Sequence, residues 1–290
     1  MLKKTIITAM FAAIAGLVFA LAPAAQATVY LNIGNAGNAA DSGEGWGAVD
    51  YEYEIGKYEV SANEWNASGI VTTNAPHWTG NQPAAKQSWH QVARYANWLT
   101  SGDENTGYYS VDGSGNATKS ALTHQEYFDA NGSVYFIPNR NESYKAAYYD
   151  PNKSGGAGYW DYAVGSDTKP TAIVSGTGSG AVYNDGVTAP AAPADVDNAG
   201  GLSPFGAMAM NGNVDEWVED WQHNHGVWSL VKGSWNGNNF SGTDFDWRGK
   251  TVETLAQGGV RMGRIVPEPS SMALLLVGLG LPFVMRRKRR

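Results

Sequence analysis

Hydrophobic and polar positions alternate first at Tyr51-Glu52-Tyr53-Glu54-Ile55, the period of a half-buried strand. Ser61 follows and can cap a short helix through Trp65. From Ser88 the period changes. Ser88 and Gln91 form a capping box, and Val92, Tyr95, Ala96 and Leu99 make one apolar stripe, which predicts a helix over 88–99. Val134 to Ile137 reads as a short strand. Asn139 with Glu142 then caps a second helix bearing Tyr144, Ala147 and Tyr148 on one face, and Pro151 bars its continuation. Between these elements the pattern fails. Residues 101–133 are polar and Gly-rich and read as a long surface excursion. Residues 165–198 read as loops, and Ser175-Gly176-Thr177-Gly178-Ser179-Gly180 lacks the lysine and the βαβ setting of a phosphate loop.

Two apolar runs stand apart, one at each end. Lys3 and Lys4 precede Ile6 to Leu21, and Ala25-Gln26-Ala27 fits the small-x-small rule for signal-peptide cleavage, with Ala25 and Ala27 as the small residues. This predicts a signal peptide over 1–27, removed by signal peptidase; the alternative is an N-terminal membrane anchor. At the other end Pro267-Glu268-Pro269 is followed by the uncharged run 270–285 and by Arg286-Arg287-Lys288-Arg289-Arg290. Cations hold to the cytoplasmic face of a bilayer. A helix over 270–285 would span roughly 24 Å, short of a hydrocarbon core of about 30 Å. Such a transmembrane segment anchors poorly and suits recognition and cutting, with a plain tail anchor as the alternative. Residues 28–52 form an extended lead-in, and 53–266 the main domain.

Composition adds exclusions. Without Lys3, Lys4, Glu268 and the five terminal cations, 13 basic residues face 26 acidic ones. Such a body repels nucleic acid and tolerates a divalent cation. The chain has no cysteine, so thiolate catalysis, zinc–thiolate sites and disulfides are all excluded. Its 36 Gly and 11 Trp point to an irregular fold with large aromatic plugs and no long helices.

The densest stretch is Gly212-Asn213-Val214-Asp215-Glu216-Trp217-Val218-Glu219-Asp220-Trp221. A Gly-Asn turn leads into alternating residues, with Val214, Glu216 and Val218 on one face and Asp215, Trp217 and Glu219 on the other. Glu216 therefore points inward, where a carboxylate needs a cation or several donors. With the carbonyls of Gly212 and Val214 it makes a start on a calcium shell; the alternative is a surface Glu beside a core Trp. Asn184 and Asp185 are a second candidate metal pair. His223 and His225 share a strand face and could hold a transition metal, or lie on a solvated loop. Trp228, Trp235, Phe240 and Trp247 are candidates for stacking on sugar rings, or for the core.

This stretch resembles the Gly-Asn-Val-Trp-Glu-Trp signature of the formylglycine-generating enzyme family, the sulfatase-modifying factors. Ile55-Gly56-Lys57-Tyr58-Glu59-Val60-Ser61, the 88–99 helix, Ile137-Pro138-Asn139 through Ala147, Lys232-Gly233-Ser234-Trp235 and Gly259-Val260-Arg261-Met262-Gly263-Arg264 resemble other family segments in the same order. The resemblance implies an α+β, C-type-lectin-like mixed fold with much irregular loop. It also implies a copper-binding cysteine pair in the generating enzymes, which this chain lacks, so copper is not expected. Ala209 stands where relatives often carry Asp or Asn, which weakens the calcium expectation. The tail, with Pro267, Glu268, Pro269, Arg286 and Arg287, resembles the PEP-CTERM sorting signal, which implies an exosortase as partner and residence at the cell surface or in the extracellular matrix. The resulting expectation is an exported, non-catalytic binding protein for extracellular polysaccharide or another envelope component. A metal-dependent oxidase using His223 and His225, or a structural biofilm matrix protein, are the alternatives.

Overall fold

The computed structural model describes residues 28–71, 78–222, 227–231, 235 and 258–267. Its main sheet has four antiparallel strands in the order β1-β2-β13-β5, made of Tyr30–Ile33, Tyr53–Gly56, Gly263–Ile265 and Val134–Phe136. The strand from the C-terminal part thus sits between two from the N-terminal half. Gly263 pairs with Ile55 on one side and Phe136 on the other. It must be glycine, because a Cβ there would lie 2.3 Å from the Phe136 ring.

Four short helices pack around this sheet: α1 (Ala62–Ala67), α2 (Trp89–Ser101), α3 (His124–Asn131) and α4 (Arg140–Tyr148). Each begins with a complete capping box, from Ser61/Glu64, Ser88/Gln91, Thr123/Glu126 and Asn139/Glu142. The side chain at the cap and the one three residues on satisfy two backbone donors reciprocally, which starts helices too short to be stable alone. The expected elements at 61–65, 88–99, 134–137 and 139–148 are all present within a residue or two. The lead-in contributes β1. The supposed excursion over 101–133 does not exist as such: it folds into the hairpin β3–β4 (Tyr109–Val111, Ala117–Lys119) and then α3. Asp112, which accepts from the Ser114 and Asn116 N–H groups, closes the hairpin turn.

The loops between 149 and 201 hold isolated bridges and two-residue pairings, β6 with β7 (Tyr149–Asp150, Gly158–Tyr159) and β8 with β9 (Ala172–Ile173, Ala181–Val182). A second sheet follows, in the order β11-β10-β12, from Val227–Val231, Asp215–Gln222 and Gly258–Gly259. Strand β10 pairs antiparallel with β11 across an irregularity between Trp217 and Trp221, and parallel with β12. The core lies between the main sheet, α2, α4 and β10, filled by Ile55, Trp89, Phe136, Tyr144, Tyr148 and Trp217. Trp89 donates to the Val218 carbonyl at 3.2 Å and Trp217 to that of Gln87 at 3.1 Å, so these plugs also fix β10 against the start of α2. Among the described residues no helix is long and apolar enough to cross a membrane; the run 270–285, the segment 1–27 expected to be a signal peptide and the tail from Glu268 lie outside them.

Candidate functional site

Alternation along β10 predicts one inward face, yet Val214 through Glu219 are all buried. The strand is flanked on both edges and covered on both faces, so its carboxylates on either side must find cations. They find two different ones.

On one face Glu216 meets Arg261. The guanidinium donates through Nε and Nη2 to Glu216 Oε1 at 3.1 and 2.7 Å, through Nε to Oε2 at 3.3 Å, through Nη1 to the Gly56 carbonyl at 3.0 Å and through Nη2 to that of Met208 at 2.8 Å. Glu216 does point inward, and the cation at both its oxygens is Arg261; the calcium shell with Gly212 and Val214 is not the arrangement seen. The Val214 N–H donates to Glu59, at 3.3 Å. Glu59 also accepts from the Asn213 amide at 2.5 Å. Burial, and next the charge of Glu216, push the Glu59 carboxyl up to about 8 despite Arg261. Gly212, at φ 98°, abuts the Val182 carbonyl, which any Cβ would meet at 2.8 Å.

On the other face Glu219 meets His124, the first residue of α3, and beyond it Glu142, the third residue of α4. His124 Nε2 lies 3.1 Å from Glu219 Oε1, and its Nδ1 lies 2.8 Å from Glu142 Oε1. All three side chains are buried. A neutral imidazole has one N–H and one lone pair, and a lone pair facing a carboxylate would be repelled. Both nitrogens therefore donate, and the ring is an imidazolium. Burial opposes that charge, but Glu142 and Glu219 outweigh it and raise His124 to about 10. The ring stacks on Phe136, with centroids 3.7 Å apart and planes at 12°. Tyr51 donates to Glu142 Oε1, and Tyr109 donates to Glu219 Oε1 at 3.0 Å. Burial pushes Glu219 up, yet His124, Lys119 and Tyr109 together bring it below the ordinary carboxylate range.

This cluster borders a cleft of about 280 Å³ whose wall includes His124 and Glu219, with Tyr51, Tyr108, Lys119, Asn139 and Asn141 around them. At neutral pH the imidazolium has no lone pair to take a proton, so His124 offers hydrogen bonds and a fixed charge and does not act as a general base there. Among the described residues no group of three such side chains is arranged to hold a metal ion.

The other expected site residues scatter. Asn184 accepts from the Gly186 N–H and Asp185 from those of Val187 and Thr188, local turns away from Glu216. Trp235 is half-buried and packs edge-on against Trp78 at 6.4 Å. Trp228 falls in β11, and its side chain is outside what the structure describes. His223, His225, Phe240 and Trp247 lie outside the described residues, as do Ala25, Ala27, Glu268, Pro269, Arg286 and Arg287. Sequence reasoning missed His124, Glu142 and Glu219 as a group. The Thr123-x-x-Glu126 capping box could have placed α3 and so His124; nothing local pairs it with the two glutamates.

A mixed sheet, short capped helices and long loops define an α+β domain of the C-type-lectin-like kind. The chain belongs to the sulfatase-modifying factor enzyme 1-like domain family, whose model matches residues 25–266. Among solved structures it is similar to CarF, with 20% identity, a TM-score of 0.58, and coverage of 83% of this chain and 99% of that one. It is also similar to Treponema denticola variable protein 1, with 18% identity, a TM-score of 0.55, and coverage of 81% and 94%. These likenesses concern the fold. Comparison with curated proteins returns no match. The thiolate copper centre of the generating enzymes does not fit this chain, which offers no cysteine sulfur anywhere along its 290 residues.

Proposed function

We propose that this is an exported binding protein whose domain takes a hydroxyl-rich ligand, of the extracellular-polysaccharide kind, in the cleft beside His124. The observation that carries the reading is the cleft itself. It is polar, its buried charges on His124, Glu142 and Glu219 pair with one another, and the imidazolium at its edge has no lone pair to act as a base at neutral pH. Export rests on Ala25-Gln26-Ala27 and on the Pro267-Glu268-Pro269 tail, read as substrates of signal peptidase and of an exosortase-type enzyme. Retention of purified mature protein on a panel of immobilised polysaccharides tests binding; passage of all of them at the void volume would defeat it. Intact mass of protein recovered from the cell surface tests export, with an N-terminus near Thr28 and loss of Arg286 to Arg290 expected.

A further inference from the structure

We infer that Lys119 and the Oε2 oxygen of Glu219 form a reader for adjacent hydroxyl groups, so that the ligand is a neutral sugar unit with a free vicinal diol. This rests on the binding role proposed above. Glu142 commits Oε1 to Tyr51 and His124, and Oε2 to the Asn139 N–H. Glu219 commits Oε1 to Tyr109 and His124. Among the described residues its Oε2 has only Lys119 Nζ, at 3.4 Å. A charge-assisted N–H···O bond closes to about 2.7–2.9 Å when nothing prevents it, so this pair is loosely made.

A hydroxyl set between the two can donate to Oε2 and accept from Nζ. A neighbouring hydroxyl can accept a second Nζ proton, since an ammonium carries three. Lys119 is half exposed and free to adjust, whereas Glu219 is fixed by His124 and Tyr109. Donors complete the site. Asn139 and Asn141 give their side-chain oxygens to the Glu142 and Gly47 N–H groups. Their amide N–H groups have no partner among the described residues and are available at the cleft. Charge selects neutrality: His124 and Lys119 balance Glu142 and Glu219, and Asp50, exposed at the rim, adds a negative charge that disfavours acidic sugars.

Affinity electrophoresis tests this with dextran, whose units carry adjacent free hydroxyls, with O-methylated dextran, and with polygalacturonate. Native protein should be retarded by dextran and not by the other two. Lys119→Met should weaken retardation about tenfold or more, the worth of a charged hydrogen bond, while the melting temperature holds. Glu219→Gln should do the same, and Lys119→Met covers the case in which Glu219→Gln fails to fold. Equal retardation of native protein and Lys119→Met would overturn the diol reader and leave the binding role standing. Retardation by methylated dextran or by polygalacturonate alone would overturn the diol or the neutrality. No retardation by any neutral polysaccharide would overturn the binding role and the reader together.

Discussion

Arg261→Met is the sharpest perturbation of this fold. Arg261 is buried and donates to Glu216 and to the carbonyls of Gly56 and Met208. Removing one partner of a buried ion pair costs about 3–5 kcal/mol, because the other charge is stranded. Two carbonyls also lose donors, at about 1 kcal/mol each. The expected loss is therefore about 5–7 kcal/mol, a large part of a typical total of about 5–15. For a domain of this size, at about 2–4 °C per kcal/mol, that is a fall of roughly 10–28 °C in melting temperature. Urea unfolding at pH 8 measures it. Above pH 8 the loss should grow and below it level off, because Glu59, raised to about 8 beside Glu216 even with Arg261 present, ionises in native protein only above that value, where Arg261 compensates a second carboxylate. Arg261→Met with Glu216→Gln should be more stable than Arg261→Met alone. Millimolar calcium should leave the native melting temperature unchanged, since Arg261 already neutralises Glu216. A loss below about 1 kcal/mol for Arg261→Met, or a double variant worse than the single, would refute the reasoning.

Three further outcomes are expected. His124, raised to about 10, contributes stability that is complete below its unfolded value near 6.5 and is lost as pH rises through 10; Glu59, raised to about 8, adds a loss between about 4.5 and 8, so unfolding free energy should fall steadily from pH 6 to pH 10. A flat profile over that range would contradict the imidazolium assignment, and His124→Gln should remove the part above pH 8. Gly263→Ala should cost about 1–3 kcal/mol by forcing the Phe136 ring aside, read by thermal melting, and an unchanged midpoint would count against the close approach. Purified protein given a sulfatase-motif cysteine peptide and copper should form no formylglycine by mass spectrometry, since no thiol is present to hold the metal.

Local signals explain what could be read from residues alone. Ser61, Ser88 and Asn139 each stand three residues before a Glu or Gln, and each starts a helix where expected. Thr123 and Glu126 carry the same signal, but only Tyr127, Phe128 and Ala130 follow as apolar side chains, too few for a helical stripe in a polar setting. The sites were less legible because they are long-range. His124 and Glu219 are 95 residues apart, and Glu216 and Arg261 are 45 apart. Alternation showed that Glu216 needs a cation; it could not show that a closing arginine supplies it, nor that the opposite face of β10 is equally buried.

The position of β13 has a consequence for biogenesis. Residues 263–265 fill the slot between β2 and β5, and residues 260 and 262 accept from the Val60 and Gly56 N–H groups. A polypeptide emerging N-terminus first, at about 5–20 residues per second, thus waits with an open gap in its principal sheet until nearly all of the domain is out. Such a chain cannot complete its principal sheet while the ribosome still holds residues 263–265. Its unpaired β2 and β5 edges meanwhile invite other chains, so a holding chaperone would matter most in that interval.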